Sequence, residues 1–333
     1  MSEKMIDVFG VGNAIVDTLA FVDSDFLRER DFNPGIMTLV DSHKQADLLQ
    51  DLKKIPLELR SGGSAANTMI GIARCGGSGF YSGKVSKDPN GEFYRQDLLK
   101  AGLHFDVHPL PEDHGPTGTC VVLTTPDAER TMFTHLGVST ELHADDIDEE
   151  RLAKCRFSYV EGYLWTGDST KSAALKTMEL SKKNNVKTAF TFSDPWLVGS
   201  AKDDFRRLVN DYCNVVFCNA EEARLFAEKD DIRENAAEIG QVADLVFVTN
   251  GSHGCIVVED GKVEEVSGFS VNAVDTNGAG DAFAGGVLFG LSRGQSPQTA
   301  ARCGNYLAGQ IVQIHGARIE EDQKEKMIEI MNE

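Results

Sequence analysis

Between residues 157 and 248 the chain alternates short apolar runs with helix-patterned stretches, and this alternation restricts the fold more than any other feature. The runs are residues 157–160, 188–192, 215–218 and 245–248, and the helical patterns between them span 172–183, 203–212 and 220–228. Strands separated by helices predict βαβ units and a parallel sheet covered on both faces. A short hairpin follows, 256–258 and 263–266 across Asp260-Gly261, after which the chain reads as mainly helical to its end.

The first half reads differently. Residues 6–12 look like a buried strand that opens the fold, and residues 13–22 like a second extended segment. Residues 36–40 and the 117–136 region add further strands. The latter reads as a hairpin, with Val121-Val122-Leu123 and Thr131-Met132-Phe133 on either side of a turn at Pro126-Asp127-Ala128-Glu129. Strands clustered without intervening helices predict a small sheet separate from the main one. No repeat, low-complexity tract or Pro/Gly/Ser linker divides the 333 residues, a length that suits one large α/β domain or two medium ones. The expectation is an α/β fold: a single doubly wound, mostly parallel domain over 1–333, with a small β-sheet lid from discontinuous segments near 14–60 and 105–140.

A net charge of −19 opposes nonspecific binding to nucleic acid and to anionic membranes, both of which need a basic surface. It leaves room for a phosphate-bearing ligand, because local amides, arginines and a metal override the global field. Charges interrupt the opening Met1-Ser2-Glu3-Lys4-Met5-Ile6-Asp7, so neither a leader nor a membrane span is expected. Seven scattered cysteines without a C-x-x-C pair, and eight histidines without H-E-x-x-H, point to reduced thiols in a cytoplasm and no structural metal.

Two glycine-rich segments carry chemistry. In Asp275-Thr276-Asn277-Gly278-Ala279-Gly280-Asp281 the glycines permit a tight turn with bare N–H groups, and the small and apolar residues that follow place Asp281 in the first turn of a helix. Amides at a helix N-terminus hold anions, and a carboxylate there can take a proton from a hydroxyl while the amides stabilise a transferred phosphoryl group. The bland alternative is a capping aspartate after a glycine turn. The second segment is Ser61-Gly62-Gly63-Ser64-Ala65-Ala66-Asn67-Thr68, where paired glycines let amides approach a ligand hydroxyl and Asn67 suits a polyol. By itself it reads equally as a glycine-rich helix start, with Gly76-Gly77 stopping the helix behind it.

These two segments resemble the signature motifs of the ribokinase-like (phosphofructokinase-B type) carbohydrate kinases. Between them Asn219-Ala220-Glu221-Glu222 is similar to the family's N-x-x-E motif, and Thr249-Asn250-Gly251-Ser252-His253-Gly254 to its T-x-G-x-x-G nucleotide loop. The four motifs occur in family order over nearly the whole chain. The resemblance implies an ATP-dependent kinase with Asp281 as base and an anion hole of the Gly278, Ala279 and Gly280 amides. It places Asn219, Thr249, Gly251 and Gly254 at ATP, and Glu222 at Mg²⁺ through water. It also implies a monovalent-cation (K⁺) site near Asp275, Thr276 and the Gly316-Ala317 turn. Asn13, Asp17, Gly62, Gly63 and Asn67 would hold the acceptor, although Asn13 and Asp17 read without the family are equally turn and strand-edge residues. Two competing nucleotide motifs fail: Gly10-Val11-Gly12 has Ile15 where a third glycine belongs, and Gly83-Lys84 has Ser78 and Val85 where a P-loop needs Gly and Ser/Thr.

For the acceptor, Ser64 stands where ribokinases usually carry lysine. Together with Asn13-Ala14-Ile15-Val16-Asp17 it looks like the adenosine-kinase branch, which favours a ribonucleoside such as adenosine. Arg130 resembles a lid arginine of that branch, and Ser193-Asp194-Pro195-Trp196 its small-Pro-aromatic segment, with Trp196 either stacked on a base or packed on the core. Asp194 departs from the small residue expected there. A free-sugar kinase shares every catalytic residue and differs around the lid. A non-catalytic regulator would have lost Asp281, the anion hole or the Mg²⁺ motif, and none is lost. An exposed lid face would seek cover, so a homodimer through the lid is also expected.

Overall fold

In this computed structural model, which describes residues 4–127 and 129–333, the apolar runs assemble into two sheets. In chain order the strands are β1 (Ile6–Val11), β2 (Ile15–Phe21), β3 (Met37–Leu39), β4 (Leu57–Gly62), β5 (Gly79–Ser82), β6 (Gly118–Thr124) and β7 (Arg130–His135), followed by β8 (Cys155–Glu161), β9 (Lys187–Thr191), β10 (Val215–Asn219), β11 (Leu245–Thr249), β12 (Cys255–Glu259) and β13 (Lys262–Val266). The large sheet runs β13-β12-β11-β10-β9-β8-β1-β5. Strands β5, β1, β8, β9, β10 and β11 are parallel, and the β12–β13 hairpin closes one edge in antiparallel register.

Successive side chains of a strand point to opposite faces, and here both faces are apolar. Phe9, Val160, Phe190, Val216 and Val246 enter one buried cluster, beneath the helices Asp168–Lys183, Lys202–Tyr212 and Ala220–Ala227. Val8, Tyr159, Ala189, Phe217 and Phe247 enter the other, beneath the helices Ser64–Arg74, Ala279–Ser292 and Pro297–Ile311. Burial on both faces is why these runs read as continuous rather than alternating hydrophobicity.

The helix that carries Asp281 is pinned to the sheet through Phe283. Phe217 and Phe247 stack at 5.4 Å, and Phe283 meets them edge-on at 6.4 and 6.1 Å. Its neighbours are drawn in by two glycines. A Cβ on Gly285 would lie 2.8 Å from Thr68 O, and one on Gly286 2.6 Å from Cys303 O.

The smaller sheet runs β3-β7-β6-β2-β4. Its hairpin pairs Val122 with Met132; Ala128 of the expected turn lies outside the described residues, as do Met1–Glu3. Helices do intervene in this part, contrary to the expectation from sequence. Ser24–Glu29 starts at Asp23, which accepts from Phe26 N–H at 2.8 Å, and Ser42–Asp51 starts at Asp41, which accepts from Lys44 N–H at 2.8 Å. Leu27 and Leu48 from these helices cover one sheet face with Ala20, Val121, Leu123 and Phe133. An aspartate capping each start was the available signal. The sequence also gave no sign of β4, whose Glu58 and Arg60 are polar; it is a strand because β2 pairs with it from Ile15–Gly62 to Ala20–Leu57.

Removing the Phe283 ring leaves a void between the catalytic helix and the sheet. Phe283→Ala is expected to lower the unfolding free energy by about 3–5 kcal/mol, read as a lower denaturant midpoint at unchanged slope. A loss under about 1 kcal/mol would show that the helix is held elsewhere.

Candidate active site

The segments singled out from sequence come together at the C-terminal ends of the parallel strands, where open α/β sheets bind ligands. Asn13 follows β1, Glu161 ends β8, Asp194 follows β9, Asn219 ends β10 and Thr249 ends β11.

At the centre is Asp281. Gly278 caps its helix with φ +74°, and a Cβ there would lie 2.7 Å from Ala317 Cα, so only glycine turns the chain this way. One carboxylate oxygen of Asp281 accepts from Ser64 Oγ at 2.6 Å and the other from Asn67 Nδ2 at 3.1 Å. The two signature segments therefore meet at one carboxylate. Desolvation pushes this group up to about 6, with the two hydrogen bonds holding it down against that rise. It is ionised at neutral pH and remains basic enough to take a proton. Among the described residues, the Gly278 and Gly280 N–H groups make no bond within the chain, whereas Ala279 N–H makes a long one, 3.3 Å, to Thr276 O. Two of the three expected anion-hole amides are thus free.

The acceptor side explains its paired glycines. A Cβ on Gly62 would lie 2.3 Å from Asp17 Oδ2, and one on Gly63, at φ +96°, 2.2 Å from Asn13 O. Asn13 and Asp17 thus press on the glycines, and all four stay within reach of one another. Sequence reasoning missed the residue that ties them down. Glu161, 1% exposed, accepts from Asn13 N–H at 2.7 Å and Asn13 Nδ2 at 2.9 Å through Oε1, and from Ala65 N–H at 2.8 Å through Oε2. Burial pushes it up to about 7, against those three donors. The missed signal was a lone glutamate at the C-terminal end of an apolar parallel strand. Asp17 and Asn67 line a small space between the smaller sheet and the 316–318 turn with Arg60, Arg130, Arg318 and Leu19. Burial raises Asp17 to about 7 despite the guanidinium charges of Arg318, Arg130 and Arg60.

On the nucleotide side, Asn219 and Glu222 form a reciprocal cap on the Ala220–Ala227 helix. Asn219 Oδ1 accepts from Glu222 N–H at 2.8 Å, and the glutamate accepts from Asn219 N–H and Nδ2, both at 2.9 Å. Glu222 is 4% exposed and rises to about 7, first through desolvation and then through the charges of Asp194 and Asp281. Among the described residues no set of side chains stands close enough to ligate a metal directly. Glu222, which feels the charges of Asp194 and Asp281, could instead hold a divalent cation through water. Tyr163, two residues after Glu161, lies among the same groups: burial and then Asp194, Asp281, Glu161 and Glu222 raise its phenol. Thr249 lies beside Asn219 in register. Gly254, at φ +95°, would place a Cβ 2.1 Å from Val266 O, while nothing lies within 4 Å of a Cβ on Gly251.

Three expected roles meet different surroundings. Trp196 is 69% exposed, in the first turn of the Pro195–Ser200 helix that Asp194 caps at 2.8 Å, and it is not among the residues around Asp17 and Asn67. The structure does not bring it to the acceptor side, because the Asp-Pro helix start leaves the ring in solvent. Arg130 reaches that side but is ion-paired with Asp275. Thr276 is exposed and contributes its carbonyl to the loop.

Residues 45–324 match the pfkB family carbohydrate kinases. The chain belongs to that family. It is similar to the crystal structure of adenosine kinase from Sinorhizobium meliloti, at 33% identity and TM-score 0.89 over 97% of this chain and 99% of that one. A probable sugar kinase protein from Rhizobium etli CFN 42 gives 31% identity and TM-score 0.90, covering 98% of each chain. Adenosine kinase 2 of Arabidopsis thaliana is 28% identical over 93% of this chain and 94% of its own. As a pfkB-family kinase the protein is an ATP-dependent phosphotransferase of the adenosine-kinase-like branch, and its fold is the α/β arrangement expected, a large mostly parallel sheet with a smaller one.

Asp281→Asn is expected to lower kcat by at least about 10²-fold while ATP binding, measured by calorimetry, survives. Protonation below about 6 removes the base, so wild-type kcat/KM should fall more steeply on the acid side than the variant's residual activity, which keeps only the titrations of Asp17, Glu161 and Glu222. Near-wild-type turnover in the Asn variant excludes Asp281 as the base.

Proposed function

We propose that the protein transfers the γ-phosphoryl group of ATP to the hydroxymethyl group of a ribonucleoside such as adenosine. The observation that carries the reading is the Asp281 carboxylate held by Ser64 and Asn67 at a helix N-terminus with free amides. Asp281 takes the hydroxyl proton as the oxygen attacks the γ-phosphorus and the bond to the β,γ-bridging oxygen breaks, releasing ADP, and the Gly278 and Gly280 amides receive the charge on the transferring group. Asn13, Asp17 and Asn67 hold the acceptor's hydroxyls, with Glu161 orienting Asn13 and the Gly62-Gly63 turn. Asn219, Thr249, Gly251 and Gly254 flank ATP. Glu222, with Asp194 beside it, fits Mg²⁺ through water, and when bound that ion supplies positive charge at the phosphate oxygens.

The space between the smaller sheet and the 316–318 turn is only about 10 Å³, room for a single water. The smaller sheet, which supplies Asp17, Leu19, Arg60, Val122 and Arg130 to this space, acts as a lid that lifts to admit the acceptor and closes over it to exclude water, and the 1–333 chain works as one catalytic unit. Leu19 and Val122 on the lid lie beside Asp17 and Asn67, an apolar wall next to polyol-binding groups that matches a base attached to a ribose. The adenosine kinases among the relatives support the same acceptor. A free-sugar kinase is the second reading. Trp196 is exposed and does not line this space, and Arg60, Arg130 and Arg318 give the space a polar lining.

No helix among the described residues is long and apolar enough to cross a membrane. Seven free, buried cysteines support a reducing cytoplasm. The free edge of β4 carries exposed Leu57 and Leu59, which supports a homodimer through the lid. Sedimentation velocity should then give twice the chain mass, lowered to the monomer by Leu57→Glu/Leu59→Glu. A monomeric wild type at tens of micromolar rules this contact out.

Adenosine, guanosine, inosine, ribose and fructose compared at equal concentration with ATP and Mg²⁺ decide the acceptor. A nucleoside should lead in kcat/KM, and Leu19→Ala should weaken nucleosides more than sugars. Should a free sugar surpass every nucleoside, the nucleoside assignment is wrong and the kinase assignment stands.

A further inference from the structure

Asp275 opens the loop that ends in the anion hole, and it is 7% exposed. Both of its oxygens are engaged. Oδ1 accepts from Asn277 N–H at 3.0 Å, which bends the loop toward Gly278. Oδ2 accepts from Gly316 N–H at 2.9 Å, which ties the loop to the 316–317 turn, and is ion-paired with Arg130 Nη2. Arg130 comes from β7 of the smaller sheet, whereas Asp275 and Gly316 belong to the body, so the charge that balances Asp275 is delivered by the other sheet. Arg130 is itself 9% exposed, and its Nε and Nη1 have no partner among the described residues.

These contacts do not fit the monovalent cation implied by the resemblance. A K⁺ ion on the carbonyls of this loop and of the 316–317 turn would neutralise the same carboxylate and sit beside a buried guanidinium that repels it. We propose that Arg130 is a positioning residue that supplies, from the lid, the positive charge at Asp275 that a bound K⁺ would otherwise supply. The anion-hole loop is then held in shape without K⁺ whenever the lid is down. The thermal part of the test does not depend on the kinase reading; the activity part does.

The experiment compares wild type, Arg130→Lys and Arg130→Gln in potassium chloride and in tetramethylammonium chloride at equal ionic strength. Wild-type kcat should change less than about twofold and Tm should be the same in both salts, since the site's charge is built in. Arg130→Gln leaves the buried Asp275 without a counter-charge, so its kcat should fall about tenfold or more in tetramethylammonium and recover several-fold with potassium, along with its Tm. Arg130→Lys keeps the charge and should stay indifferent to the salt. Selective activation or stabilisation of wild type by potassium overturns the proposal, as does a Gln variant whose loss potassium leaves untouched. If the Gln variant does not fold, the wild-type and Lys comparisons still decide. If wild type phosphorylates no acceptor in either salt, the kinase reading fails, while the Tm comparison still tests the role of Arg130.

Discussion

The Asp281 carboxylate, at 2.6 Å from Ser64 Oγ and 3.1 Å from Asn67 Nδ2, joins two helices whose N-termini converge on one point. The Ser64–Arg74 and Ala279–Ser292 helices can approach that closely because Gly285 faces the backbone of the first helix. They are held to the sheet by apolar contacts that include Phe283 on Phe217 and Phe247. Desolvation at this junction raises the carboxyl, and the two donors limit the rise. A base that is ionised at neutral pH and still basic is therefore a consequence of the packing.

Around that junction the buried polar groups are paired in ways that fix backbone rather than merely fill space. Glu161 spends three acceptor contacts on Asn13 and Ala65, setting the link between β1 and β2 against the paired glycines. Asn219 and Glu222 close a cap on each other. Asp275 holds the anion-hole loop to the 316–317 turn and to Arg130 of the smaller sheet. Half-satisfied networks are costly in a low-dielectric site, so the two unpartnered Arg130 N–H groups stand out against this background.

Much of this was legible beforehand. Strand–helix alternation after residue 157 corresponds to β8 through β11 with only one or two residues of difference at the ends, because strands buried on both faces are apolar throughout. Gly278, Gly63 and Gly254 were marked by type, and each proves to have positive φ. Helices starting at Ser24 and Ser42 were overlooked, although Asp23 and Asp41 announce them. The resemblance offered Trp196 either for stacking on a base or for packing on the core, whereas Asp194 with Pro195 starts a helix that leaves the ring in solvent.

What the sequence by itself determined is local: where strands and helices form, where the backbone must turn, and which short motifs carry acid, amide and glycine. These follow from contacts within a few residues, and periodicity and capping report them directly. Tertiary structure alone decided which atoms meet. Ser64 and Asp281 are 217 positions apart, Glu161 reaches Asn13 across 148, and Arg130 finds Asp275 from another sheet. Such pairings depend on strand order and on how closely helices pack, and no pattern of neighbouring residues carries that information.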